Sequence, residues 1–546
     1  MWLVSYLLVV QGFIFVQSAQ KPNIILIVAD DLGYDDVSFH GSNQIPTPNI
    51  DSLANKGILL NNYYVQPICT PTRSALMTGR HPIHTGMQHS VIVGDQPYGL
   101  PLTETIMPQY FNKLGYSSHI VGKWHLGFFA KEYTPLYRGF KSHLGYWLGA
   151  EDYFDHTAEA NTNQYGLDFR ANMSVLSSEN GTYSTEIFTN EAVKLIMNQN
   201  ESEPLFLYLP FQAVHSGNLD EHPLQAPQEY IDRFPNIQNM NRRTFAGMVS
   251  ALDDGVGAVV EALSTKGMLN NSIIVFTTDN GGPSNGFDGN AASNFPLRGL
   301  KATLWEGGVR GDGLIYSPLL QNSQYVSERM MHVCDWLPTL YRAAGGDPTI
   351  MKNLDGYDMW DVLSNNQQNS PRKEILHNID PIRKQAAIRI GDYKLLSGEV
   401  GVAYADWYPP YQVDEDSYNL HVDNYRGQTT YENIRQSTFT NSGHSKDVVE
   451  MIISENRLKA VAVNCGPKPA NASTNCRPLT SPCLYHIPSD PCEYNNIADS
   501  NKDIVIQLLQ RLQELSYTMV PPGNKPEDPR GDPKYHNGIW QPWINL

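Results

Sequence analysis

The chain is short of cysteine, of positive charge and of long apolar runs, and each shortage excludes something. Six cysteines in 546 residues are too few for a disulfide scaffold, so stability must come from a buried core. Lys and Arg number 39 against 56 Asp and Glu, a net charge of −17. That balance argues against a general nucleic-acid binder and against a broad basic, heparin-type face, although a local pocket can be basic on an acidic body. No charge precedes Lys21, and Met1 to Val16 is nearly all apolar, but the run is too short and too close to the terminus for a membrane span. It reads as a secretory signal peptide over residues 1–19, with Ser18 and Ala19 near the cleavage point and without the usual basic first region. No other segment reaches membrane-spanning length without charges, and internal repeats and long low-complexity tracts are lacking. A soluble mature protein is expected.

What is present fits export. Asn172, Asn180, Asn200, Asn270 and Asn471 each open an Asn-x-Ser/Thr sequon, the pattern of a glycoprotein. Four cysteines, Cys465, Cys476, Cys483 and Cys492, fall in one late stretch, where two local disulfides are expected and three pairings are open. Cys334 lies in an amphipathic pattern and reads as a buried free thiol. Cys69 is left without a partner; a core cysteine and a bridge to Cys334 are the plain alternatives to a functional role.

Apolar runs alternate with helical patterns, which predicts an α/β domain with a largely parallel central sheet. The residues that follow those runs carry the chemistry. Ile24 to Ala29 ends in Asp30-Asp31, Ser118 to Val121 leads to Lys123 and His125, Leu205 to Val214 ends in His215, and Ile273 to Thr278 ends in Asp279-Asn280. In an open α/β sheet ligands collect beyond the carboxyl ends of the strands, so four such endings predict one shared site. Asp30, Asp31, Asp279 and Asn280 offer only hard oxygens, a set suited to Ca²⁺, or to Mg²⁺, rather than to zinc or copper. Ordinary turn capping is the competing explanation for each taken singly. Lys123, His215 and Lys301 add cations suited to an anionic group, with His222 as the competitor of His215.

Cys69-Thr70-Pro71-Thr72-Arg73, running on to Thr78-Gly79-Arg80, reads as the start of a helix, with Thr70 as its cap and Pro71 in its first turn. The free N–H groups of that turn face whatever residue 69 carries. This motif, Ile27 to Gly33, Gly122 to Gly127, Thr278 to Gly282 and Leu297 to Arg310 together resemble the formylglycine-dependent sulfatases, in the same order along the chain. Trp305 to Arg310, Pro223 to Pro227 and Gly538 to Trp543 are most similar to the arylsulfatase B, or N-acetylgalactosamine-4-sulfatase, branch.

The resemblance implies an alkaline-phosphatase-like large domain over residues 20–372, with a mostly parallel sheet between helices. The residues themselves suggest a smaller α+β domain over 373–546: Ala386 to Ile390 and Lys394 to Leu396 flank Gly391-Asp392, a hairpin signal for an antiparallel sheet, and a late helix is expected at Asp503 to Leu515. The resemblance also implies that Cys69 is oxidised to formylglycine by a formylglycine-generating enzyme. Calcium would be held by Asp30, Asp31, Asp279, Asn280 and the modified Cys69. Arg73 and His125 would orient the hydrated aldehyde, and Lys123, His215 and Lys301 would bind sulfate, with His215 as general acid. The implied activity is hydrolysis of a sulfated sugar or glycoside in the lysosome or outside the cell. Alternatives are a small sulfated plant glycoside such as a glucosinolate as substrate, a related metal-dependent phosphodiesterase or phosphonate hydrolase, and a non-catalytic secreted binder of sulfated ligands. Two features depart from the family pattern: Thr72 stands where serine or alanine is usual, and the stretch from His215 to Pro223 is longer than the compact His-x-Pro-Leu-Gln, which places an insertion at the pocket rim.

Overall fold

The computed structural model describes residues 20–160, 164–219, 222–411 and 461–546. The expected signal peptide and the polar stretch Asp414 to Arg457 lie outside them. No helix of the described residues is long and apolar enough to cross a membrane.

Four parallel strands form the centre of a ten-stranded sheet: β1 (Asn23–Ala29), β2 (Ser117–Lys123), β3 (Leu205–Pro210) and β4 (Ser272–Thr278). Their order across the sheet is β4, β1, β3, β2. The sequence of β1 is a continuous apolar run because both of its faces are covered. Ile25, Ile27 and Ala29 enter the core beneath the helices Ser184–Met197 and Met240–Thr265. Ile24, Leu26 and Val28 enter the opposite core, beneath Cys69–Thr78 and Trp336–Ala343. The strand Gly313–Tyr316 continues the sheet antiparallel to β4, so the sheet is mostly, not wholly, parallel.

Register decides where the functional groups emerge. Ala29 lies opposite Thr278 and Val28 opposite Pro210, so Asp30, Asp279 and the segment leading to His215 leave the sheet at one level. Gly122 allows β2 to fit beside β3. A Cβ there would stand 2.0 Å from the carbonyl oxygen of Pro210, and its φ is +118°.

A second sheet of four antiparallel strands, Glu374–Asp380, Gln385–Ile390, Tyr393–Gly398 and Cys483–His486, follows. Its second hairpin, Gln385–Ile390 to Tyr393–Gly398, turns at Gly391-Asp392. One face packs on the helix Lys502–Thr518 through Ile388, Leu395, Leu484 and Leu508. The other, through Leu396 and Tyr485, packs on Leu304 and Trp305 of the large domain. Two nested disulfides, Cys465–Cys492 around Cys476–Cys483, pin the adjoining loops, while Cys69 and Cys334 are free and buried. The chain then returns to the large domain: Trp540 is fully buried in the core beneath Cys69–Thr78 and donates to the carbonyl of Ala158. All five sequon asparagines are exposed.

Candidate active site

The helix α1 (Cys69–Thr78) is buried along its whole length. It starts two residues earlier than a Thr70 cap requires: Ile68 is the N-cap, no side chain caps the turn, and Gly79 closes the helix in the left-handed region. Thr70 instead donates to the carbonyl of His125 at 3.2 Å and accepts from Ile92 N at 3.2 Å. The first-turn N–H groups are therefore left beside residue 69 without a side-chain partner, the arrangement that favours negative charge there.

Cys69 Sγ lies 3.6 Å from Asp30 Oδ1. The other oxygen of Asp30 pairs with Lys123 Nζ and, at 3.3 Å, with Arg73 Nη2. Arg73 reaches across to Asp279 through Nε and Nη2 at 3.1 and 2.8 Å. Asn280 Nδ2 donates to Asp31 Oδ1 at 2.7 Å, and Asp31 N lies 3.3 Å from Asp279 Oδ1. Lys301 Nζ joins Asp31, 2.8 Å away, to His215 Nε2 at 3.1 Å. Nine of the ten residues singled out from the sequence thus form one connected cluster, with the tenth, His125, held beside it by Thr70 and by a 3.0 Å bond from Nε2 to the carbonyl of Ile92. His222 is exposed.

Burial pushes the Cys69 thiol well above its ordinary pKa and the Asp279 carboxylate adds to this, so an unmodified Cys69 is a protonated and poor nucleophile. Burial works against the Arg73 charge, but Asp279 and Asp30 outweigh it and hold the guanidinium charged. Lys301 is likewise held charged, with Asp31 and Asp288 outweighing burial. Burial, reinforced by Lys301, brings the His215 imidazole down to about 4. His215 Nδ1 lies 2.6 Å from the carbonyl of Ser216. The carbonyl can only accept, so Nδ1 carries the proton and Nε2 receives a hydrogen bond from Lys301. By the same reasoning His125 Nε2 carries a proton, and its Nδ1 is a buried acceptor with no partner among the described residues. Asp31 and His125 both sit at positive φ, +60° and +55°, backbone strain of the kind that persists where surroundings dictate a side-chain direction.

Ligand atoms of Asp30, Asp31, Cys69 and His215 all lie within 4.8 Å of one another. Asp279 and Asn280 flank this group, and Asn280 Oδ1 is buried with no hydrogen-bond partner among the described residues. Three carboxylates and an orphaned amide oxygen make a donor set that fits a hard divalent cation.

One participant carried no signal in the sequence beyond its turn residues. Asp288, at φ +53° between Phe287 and Gly289, places a carboxylate 2.8 Å from Lys301. In the stretch that follows His215, Asn218 binds the strand edge at Thr157 and Glu159, and Leu219 beside it is 62% exposed.

Against known proteins, the family profile described as Sulfatase matches residues 22–346. Arylsulfatase J of Mus musculus is 39% identical over 543 residues, covering 96% of this chain and 80% of that protein. N-acetylgalactosamine-6-sulfatase of Homo sapiens is 30% identical over 365 residues, 63% of this chain and 66% of its own length. Among solved structures, that of Ps i-CgsB in complex with k-i-k-neocarrahexaose aligns with a TM-score of 0.69 at 29% identity, over 92% of this chain and 94% of that one. These similarities bear on the family as a whole and do not single out the arylsulfatase B branch.

Proposed function

The chain belongs to the sulfatase family and is a sulfuric ester hydrolase, and from that premise we propose that it removes sulfate from a sulfated sugar by way of a formylglycine at position 69 and a bound calcium ion. The observation that carries this reading is the convergence of three acids, three cations and two histidines on one buried cysteine whose thiol is held protonated. A thiol so placed serves poorly as a nucleophile, whereas its oxidation product does not need to ionise as a thiolate. The sugar in the substrate is supported by relatives whose names or bound ligand are saccharides.

When present, the hydrated aldehyde would supply a geminal diol: one hydroxyl to attack sulfur in place of the alcohol, and a second whose loss of a proton would reform the aldehyde as sulfate departs with the first oxygen. Asp30, Asp31, Asp279 and Asn280 would hold the cation, which supplies Lewis-acid polarisation of an oxygen. The chain's own groups do the rest. Arg73, fixed on two carboxylates, and the bare Nδ1 of His125 orient the group on residue 69. Lys123, Lys301 and the α1 start are fixed positive groups for the sulfuryl oxygens, preorganised in a water-poor site. His215 would protonate the departing alcohol through Nε2, the ring nitrogen left once Nδ1 is bound to the carbonyl of Ser216, in the form that has taken up a second proton at acidic pH, while Lys301 keeps its charge.

The exported setting is supported by the apolar first segment, the disulfides and the exposed sequons, and the reading places the protein in the secretory pathway, lysosomal or secreted. A formylglycine-generating enzyme is then the required partner in maturation. Mass spectrometry of the peptide spanning residue 69 tests the reading. A lighter, aldehyde-bearing peptide is expected, together with hydrolysis of members of a panel of sulfated sugars and glycosides. A wholly thiol peptide in protein that hydrolyses none of them overturns it. Chelation is expected to abolish turnover, and added calcium to restore it better than magnesium.

A further inference from the structure

Where the large domain meets the second sheet there is a cavity of about 570 Å³ lined by Arg310, Arg329, Arg372, Lys373 and Arg389. On a chain with 56 acidic and 39 basic residues this is a local reversal of charge. Glu328 and Asp392 are the acidic groups in its wall. Three of the arginines are deeply buried: Arg389 is 3%, Arg310 5% and Arg372 7% exposed.

Among the described residues, Arg372 is the one arginine of this wall in a direct ion pair, a two-pronged one with Asp335. Arg310 donates to the carbonyl and amide oxygens of Asn61, at 2.7 Å each from Nη2. Arg389 donates to the carbonyl of Gly391, the amide oxygen of Asn62 and the hydroxyl of Tyr64. Arg329 donates to the carbonyl of Gln367 and the amide oxygen of Gln368. All these acceptors are neutral, and among the described residues none of the three arginines has a carboxylate within the 4.0 Å of an ion pair. Glu306, behind the wall, is already bound by Lys394 at 2.9 Å and by Tyr64.

Glu306 and Glu328 act on Arg310 from beyond ion-pair distance, yet among the described residues the wall still sets five cations against two carboxylates, and because buried positive charge is costly unless it is matched, this excess favours an anion in the cavity. Its volume is that of a site for a sugar-sized ligand rather than a bare oxyanion. The amides of Asn61, Asn62 and Gln368 and the hydroxyl of Ser370 line it with the donors and acceptors that sugar hydroxyls require. None of the lining residues belongs to the cluster around Cys69. We infer that this cavity is a second binding site, separate from the catalytic pocket, for an acidic saccharide unit carrying sulfate or carboxylate groups. The inference goes beyond the hydrolytic reading and does not depend on it.

The test uses the full chain with the catalytic pocket disabled by Cys69→Ala and Lys301→Ala, its fold checked by circular dichroism, and a chondroitin sulfate hexasaccharide as probe. Calorimetry is expected to show binding that survives in this background and weakens as salt rises. Adding Arg329→Ala and Lys373→Ala, a half-buried and an exposed position on the cavity wall, should lower the affinity at least tenfold. Unchanged affinity in that variant, binding lost with the catalytic changes alone, or equal displacement by inorganic sulfate would each overturn the proposal. In the unmutated chain the hexasaccharide should shield Lys373 from acetylation; an unshielded Lys373 counts against it. Arg329→Ala/Lys373→Ala in the otherwise native protein should leave turnover of a small aryl sulfate unchanged. A native chain that binds at the cavity yet hydrolyses nothing would refute the proposed function and leave this inference standing.

Discussion

The hydroxyl of Thr72 accepts from Gln66 N at 2.9 Å and lies 3.3 Å from the same residue's carbonyl, so it ties the loop entering α1 to the helix itself. Serine offers the same atoms, which makes the departure at this position one of a single buried methyl group. Thr72→Ser is therefore expected to retain the fold with a stability change of less than about 1 kcal/mol, whereas Thr72→Ala should cost about 1–2 kcal/mol for the buried amide left unpaired, read from urea midpoints. Both can be checked for formylglycine content by the same peptide mass measurement. Lys123 and Lys301 are each one step from a carboxylate that fits the cation set. Replacing either by alanine is expected to lower kcat/KM by about two to three orders of magnitude, the usual loss when one preorganised charge is removed from a reacting site. Circular dichroism should meanwhile stay native; equal turnover would show that neither lysine meets the sulfuryl group.

At the scale of the element, the strands do the positioning. Gly122 precedes Lys123 by one residue and has no room for a Cβ against Pro210. Gly122→Ala should cost about 2–5 kcal/mol through the positive φ and the overpacking together, visible as a lower Tm, with activity falling further than stability because Lys123 moves with the strand. The site was legible in the sequence to the extent that strand ends carry it. Continuous apolar runs identify strands covered on both faces, and the polar residue ending each run is then forced to the same edge of a parallel sheet. Asp30, Lys123, His215 and Asp279 were reachable this way. The start of α1 was not, because Thr70 is as good a capping residue by type as any, and only its bond to His125 shows that it has another use. Asp288 was unreachable for a different reason. Its contact with Lys301 depends on how a loop folds back, and no periodicity encodes that. The arginines of the junctional cavity come from segments far apart in the chain and form no local motif.

For the molecule as a whole, the two sheets are joined by buried charge as well as by apolar contact. Lys394 lies 2.9 Å from both Glu306 of the large domain and Glu493. Burial raises Glu493 to about 7, with Lys394 opposing and Glu306 reinforcing the rise. A carboxyl whose pKa is higher folded than unfolded contributes stability fully below its unfolded value, near 4.5, and loses it as pH rises through about 7. The native protein is thus expected to lose about 2–3 kcal/mol through this group between mildly acidic and slightly alkaline pH. Glu493→Gln should flatten that part of the stability profile measured by thermal or urea unfolding, and an unchanged slope would remove Glu493 as its source. The return of Trp540 into the core beneath α1 has a consequence for timing. Ala75, Leu76 and Met77, on the helix that begins with Cys69, share that core with the indole, so the packing beneath the helix is not complete until residue 540 has left the ribosome.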